Sequence, residues 1–200
     1  MSKLTDDVRS EVIRRVSRSE QSVAHRFDHI ERVMHNARAI AVTIEGVDDE
    51  ILELAVLLHD VEQPAGKKAE HVELSLRAAE VILKQTACPS DKINRVLGVI
   101  AEHSTENIRT IQPSTNEAKI LFDADKLDGL SAVGIARVFS LFGQMNLAPF
   151  EAIQWYRGKI DIALEYIQTA EGRRLCHSRL AYVQQFLSQM ESEARTSGKT

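Results

Sequence analysis

The chain has 200 residues, one domain's worth at ~150 residues per domain, with 25 Lys and Arg against 29 Asp and Glu for a net charge of -4. Its longest basic runs are pairs (Arg14-Arg15, Lys67-Lys68, Arg173-Arg174), which excludes a nucleic-acid duplex as partner on phosphate neutralisation alone. Hydrophobic residues at 44% and charged residues at 27% are ordinary globular chemistry and exclude a disordered chain. Nine glycines and four prolines are too few turn-makers for many short strands, so an all-α fold is expected. Cys88 and Cys176 lie far apart without metal-ligand spacing and read as free thiols of a reducing, cytoplasmic compartment. The opening MSKLTDDVRSEV carries no apolar run, so no secretory signal is expected.

The prolines at 64, 89, 113 and 149 separate apolar-periodic segments, where helices should stop. The first helix is expected from about Asp6 to Arg18, capped by Thr5. The second starts near Phe27, buries Ile30, Val33, Met34, Ala37, Ile40, Ala41 and Ile44, and stops at Gly46. A third, from about Asp48 through Leu58, is apolar almost all round and belongs at the centre of the fold. After the loop VEQPAGKKAE, a fourth spans about His71 to Gln85 and a fifth is capped by Ser90. A sixth runs from Asn116 through Leu127, and a seventh from about Leu130 to Phe142. The eighth opens at Pro149 and the last covers about Ala170 to Glu193. The weakly charged stretch 129–150 reads as a core helix plus a loop, not a membrane span. There is no internal repeat, linker or defensible strand pattern.

The segment LAVLLHDVE carries the strongest chemical signal. An imidazole and a carboxylate at the end of an apolar run are costly to bury without partners, and a divalent cation satisfies both. A helix-end His with Asp60 as a cap or salt-bridge residue is the alternative. His29 lies at the border of the second helix's apolar face, beside Val33. His25 is on the same side but precedes the helix, and His35 faces solvent. The segment ILFDADKLDGL sets three carboxylates among apolar residues. Asp125 and Asp128 share a face, while Asp123 falls on the other edge and is expected to cap or pair with a neighbouring helix. Lys67, Lys68, Lys126, Lys159 and Arg137 are the cations available to an anion. An ion pair to Asp123 or Asp128 is the alternative for Arg137, and His177 reads as surface or packing.

His29, His59-Asp60 and ADKLD, in that order, resemble the H…HD…D signature of the HD-domain metal-dependent phosphohydrolase superfamily. The flanking HRFDHIERVMHNARAIA, LHDVE, HVELSLRAAEVIL and FDADKLDGLSAVGIARVF extend the likeness. The tail KIDIALEYIQTAEGRRLCHSRLAYVQQFL resembles the closing helices of the stand-alone bacterial and archaeal hydrolases of this length. The resemblance implies a single HD domain over 1–200, an all-α bundle of about eight or nine helices. Its core would span about 25–130, with C-terminal helices over 130–195. One divalent ion, Mn foremost among Mn, Mg, Ni, Fe, Co and Zn, would be held by His29, His59, Asp60 and Asp125. Asp60 would also orient the attacking water, and Glu62 would serve as an outer base or lie at the surface.

Dinuclear relatives add histidines after the dyad. Here His71 and His103 are expected to meet phosphate rather than a second metal, with Lys67, Lys126, Arg137 and Lys159 completing the substrate pocket and Asp128 beside Asp125 either in that pocket or behind the metal ligands. The implied reaction is hydrolysis of small phosphorylated metabolites, nucleotides foremost, by metal-activated water, releasing either phosphate or pyrophosphate. VEQPAG does not reproduce the acidic pair of the guanosine tetraphosphate hydrolases, which argues against that substrate. A non-catalytic metal- or nucleotide-sensing module is the alternative. No membrane is implied, and a homodimer is left open.

Overall fold

The computed structural model of the protein describes residues 2–18, 21–64, 70–106 and 108–196. Among them are nine α-helices: α1 (Lys3–Val16), α2 (Phe27–Ala41), α3 (Asp49–Leu58), α4 (His71–Gln85), α5 (Ser90–Ala101), α6 (Asn116–Gly129), α7 (Ala132–Gln144), α8 (Pro149–Tyr166) and α9 (Ala170–Thr196). A 3-10 turn at Val23–His25 precedes α2, and an isolated bridge pairs Gln21 with Pro64. The fold is all-α, and no described helix is long and apolar enough to cross a membrane.

α3 is the axis of the core. Asp48 caps it by accepting from Ile51 N at 3.2 Å, and every residue from Ile51 to Leu58 except Glu53 is buried. A helix apolar on all sides can only be stable with neighbours all round, and α1, α2, α5 and α6 pack against it. α2 lies along α6, and this pairing brings His29 to the DADKLD segment. α2 buries His29, Ile30, Val33, Asn36, Ala37 and Ile40 on one stripe. Asn36, polar within that stripe, donates to Ala124 O at 3.1 Å and so links the two helices.

Two helix starts differ from expectation. Ser2, not Thr5, caps α1, because Ser2 Oγ accepts from Thr5 N (3.3 Å) while Thr5 is itself buried in the first turn. Pro89, not Ser90, holds the cap position of α5, and no side chain caps that end. Further along, Ser131 caps α7 by accepting from Gly134 N at 2.9 Å. A Cβ at Gly134 would overlap the carbonyls of Asp128 and Gly129, so only glycine lets α7 turn back this closely on α6.

Asp123 ties the C-terminal helices to this core. It is fully buried and accepts from Gln168 N (2.8 Å), Thr169 N (2.8 Å) and Thr169 Oγ1 (2.6 Å) at the entry to α9. Both of its oxygens are engaged in that cap. Asp123→Asn turns an amide donor toward one of those backbone N–H groups and should cost roughly 1–3 kcal/mol, the scale of one buried unsatisfied group. Urea unfolding checks this: a lower midpoint with an unchanged slope is expected, and an unchanged midpoint contradicts the capping role.

Candidate metal centre

The centre forms where the apolar axis ends. α3 stops at Leu58, and His59 continues with helical backbone as its C-cap. His59 Nδ1 lies 2.8 Å from Val56 O. A carbonyl can only accept, so Nδ1 carries the proton and Nε2 is left as a lone pair. That lone pair points at His29 Nε2, 3.3 Å away. His29 comes from the first turn of α2, and its Nδ1 is held by Asp128 Oδ2 at 2.8 Å.

Two carboxylates complete the cluster. Asp60 Oδ2 lies 3.6 Å from His29 Nε2 and 3.5 Å from His59 Nε2, while Asp125 Oδ1 lies 3.5 Å from His29 Nε2. One ligand atom from each of the four residues falls within 4.8 Å of all the others. Their side chains are 0% (His29), 0% (His59), 5% (Asp60) and 18% (Asp125) exposed, so bulk water does not separate them. Two imidazole nitrogens and two carboxylates thus face a common point, the donor set of a divalent transition-metal site.

Burial holds His59 neutral, down to about 4, with the nearby carboxylates opposing it. Burial and Arg137 also push His29 down, but Asp128, Asp60 and Asp125 outweigh them and its net shift is upward. Burial raises Asp60, yet the surrounding His59, His103, His29 and His25 leave it well below the usual carboxylate range. Asp125 is likewise lowered against its burial, chiefly by Lys126, His29 and His59. The carboxylates are therefore ionised, as ligands must be.

Asp60 faces two ways. Its Oδ1 is turned to His103 Nε2 (3.5 Å) and His71 Nε2 (4.0 Å), and Asp60, His71 and His103 form a second buried group with ligand atoms within reach of one another. His103 repeats the arrangement of His59, with Nδ1 on Ile100 O at 2.6 Å. The Gln63 amide, oriented as its surroundings require, donates to both Asp60 oxygens at 3.0 and 2.9 Å.

Beside the cluster a cleft encloses about 720 Å³ counting its open mouth. Its walls include His25, Asp125, Lys126, Arg137, Trp155 and Lys159. Lys126 pairs with Asp125 and sits 5.1 Å from the Phe122 ring centroid. Lys159 bonds Thr105 Oγ1 (2.8 Å) and Glu106 Oε1 (3.1 Å) and lies 5.5 Å from the Trp155 centroid. Arg137 donates from Nε to Ala24 O at 2.6 Å and pairs with Asp128, one of the two ion pairs its sequence setting allowed.

Glu62 and Asp128 each take one of the two places expected for them. Glu62 turns away from the centre: the chain turns after Asp60, and its carboxylate accepts from Gln21 Nε2 (3.0 Å) and faces Arg15 (3.8 Å). Asp128 stands behind His29 rather than on the cleft wall, its side chain 2% exposed and its oxygens taken by His29, Arg32 and Arg137. Lys67 lies outside the described residues. Sequence reasoning passed over His25, whose Nε2 lies 3.8 Å from Asp60 Oδ2 with Nδ1 at 3.0 Å from Ser22 Oγ. Its spacing of four from His29 was the available signal.

The HD domain family model matches residues 26–130, just over half of the chain. Among known proteins, YpgQ of Bacillus subtilis (strain 168) is 28% identical over 181 residues, covering 88% of this chain and 87% of YpgQ. The crystal structure of YpgQ in complex with ADP superposes with a TM-score of 0.70 at 25% identity, covering 94% of this chain and 97% of that one. A predicted HD superfamily hydrolase from an uncultured Thermotogales bacterium gives a TM-score of 0.64 at 27% identity, covering 94% and 91%. A Lactobacillus plantarum protein shares the fold at a TM-score of 0.81 and 20% identity over 98% and 99% of the two chains. With its H…HD…D residues gathered at one point and the family match running through all of them, this chain belongs to the HD domain family.

Proposed function

We propose that this protein is a divalent-metal-dependent phosphohydrolase acting on small phosphorylated metabolites, nucleotides foremost. One observation carries the reading. His29 Nε2, His59 Nε2, Asp60 and Asp125 bring two imidazole nitrogens and two carboxylates to one buried point, and carboxylates gathered there call for positive charge between them. The N/O donor set fits Mn, Fe, Co, Ni or Zn, with Mn favoured by the carboxylate share.

When bound, a divalent ion lowers the pKa of water and polarises a phosphoryl oxygen. The chain's own residues do the rest. Asp60, which accepts from the Gln63 amide, would orient the attacking water. Lys126 and Arg137 line the cleft beside Asp125, where phosphate charge would lie. Trp155 offers a flat apolar wall in the same cleft, with Lys159 against its ring. A cleft with both cations and an aromatic wall suits a phosphorylated compound with a planar group. The ADP bound by YpgQ supports the nucleotide reading.

His71 and His103 are assigned to substrate phosphate, within reach of Asp60 but on its far oxygen. A second reading, in which they hold a second ion with Asp60 as bridge, is favoured by their forming a buried ligand group of their own.

Chelation should abolish hydrolysis and added Mn2+ should restore it, assayed on a nucleotide panel with phosphate and pyrophosphate resolved; undiminished turnover in demetallated protein would falsify the proposal. Asp125→Asn should release the metal and lower turnover by more than about a hundredfold, since losing even an outer partner of a metal ligand costs 10–100-fold. His71→Ala and His103→Ala should raise KM or lower kcat while metal content, read by elemental analysis, stays at one per chain. Two ions in the wild type falling to one in these variants establishes the bridged centre instead.

A further inference from the structure

His59 and His29 are fixed in different ways. The ring of His59 is set by its own helix, through Val56 O at 2.8 Å. His29 lies in the first turn of α2, and its Nδ1 partner is a carboxylate from another helix, Asp128 Oδ2 at 2.8 Å. Whatever orients Asp128 therefore orients His29. On its other oxygen, Asp128 accepts from Arg32 Nε at 2.7 Å. Arg32 is anchored in turn by Asp28 Oδ2, 2.7 Å from its Nη1. Asp28, His29 and Arg32 sit within two turns of α2, so the contacts close a ring from α2 to α6 and back.

We infer that Arg32 is a positioning residue: acting through Asp128, it fixes the His29 ring with Nδ1 protonated and Nε2 directed at the metal centre. The inference rests on the reading of His29 as a metal ligand. Two further observations support it. Asp128 is 2% exposed, where a carboxylate needs compensating charge to stay ionised. Arg32 Nη2 is buried without a hydrogen-bond partner, a cost that a solvent-facing arginine would not bear. A carboxylate behind a ligating imidazole fixes its tautomer and raises its basicity. Here Arg32 holds the oxygen opposite the one that meets His29, and shares with Arg137 the offsetting of the buried charge.

A plain staple between α2 and α6 would use the same contacts, so the test reads what a staple does not change. The His29 tautomer is read by long-range 1H–15N NMR on metal-free protein. Mn2+ affinity is read from the free-ion EPR signal, without substrate. In the wild type His29 should be in the Nδ1–H form. Arg32→Met should weaken Mn2+ binding about tenfold or more and admit the other tautomer, and Arg32→Lys should recover most of the affinity. If Arg32→Met fails to fold, Arg32→Lys and Asp128→Asn carry the comparison, both expected to fall between wild type and the lost state. Mn2+ affinity within twofold of wild type in every folded variant, with His29 still Nδ1–H, overturns the inference and leaves a staple. A wild type that takes up neither Mn2+ nor Co2+ overturns it outright. A wild type that binds Mn2+ and shows the brace, yet hydrolyses no phosphate ester, overturns the functional proposal alone.

Discussion

Everything in this structure turns on a buried point where two imidazoles and two carboxylates meet. A carboxylate that is 5% exposed, as Asp60 is, is unstable in an apolar interior unless positive charge meets it. The fold creates that demand deliberately, by driving the all-apolar α3 through the centre and ending it on His59-Asp60. It then closes the point from two more sides, with His29 from α2 and Asp125 from α6. The pairing of α2 with α6 is thus both core packing and site assembly. Val56 O and Ile100 O each take the Nδ1 proton of a histidine three residues on, which leaves both Nε2 lone pairs facing inward.

The helices were readable because each is amphipathic or wholly apolar and bounded by a proline, a glycine or a polar cap. The start of α4 at His71 and of α8 at Pro149 fall where the pattern places them. The ligand candidates stood out less by pattern alone: His29 borders an apolar stripe, His59 ends one, and Asp125 was singled out among three carboxylates by the H…HD…D resemblance. What stayed hidden depends on partners distant in the chain. Arg32 looks like half of a surface pair with Asp28 at i,i+4, and nothing local shows that its Nε reaches Asp128. Gln63 and His25 become part of the centre only after the 59–64 turn is laid against the Ser22–His25 turn, joined by Ser22 N to Gln63 O at 3.0 Å. Glu62 misleads in the opposite direction: nearness in sequence to Asp60 is not nearness in space once the helix has ended, and Arg15 draws it outward.

The centre and the cleft are mechanically one unit. Arg137 lines the cleft while holding Asp128 and the Ala24 carbonyl beside His25. Asp123, two residues before Asp125, ties α6 to the start of α9. The cleft wall and the Asp125 side of the centre are therefore held by the same few side chains on α6 and α7. Gly134 permits this by letting α7 start against the backbone of Asp128 and Gly129.

Anomalous diffraction from crystals soaked in Mn2+ addresses the central claim most directly, since it locates the ion without reference to activity. The account predicts the strongest peak at the point shared by His29 Nε2, His59 Nε2, Asp60 and Asp125, with Asp123 and Glu62 outside its coordination. A peak confined to exposed carboxylates, with this point empty at saturating Mn2+, would contradict it.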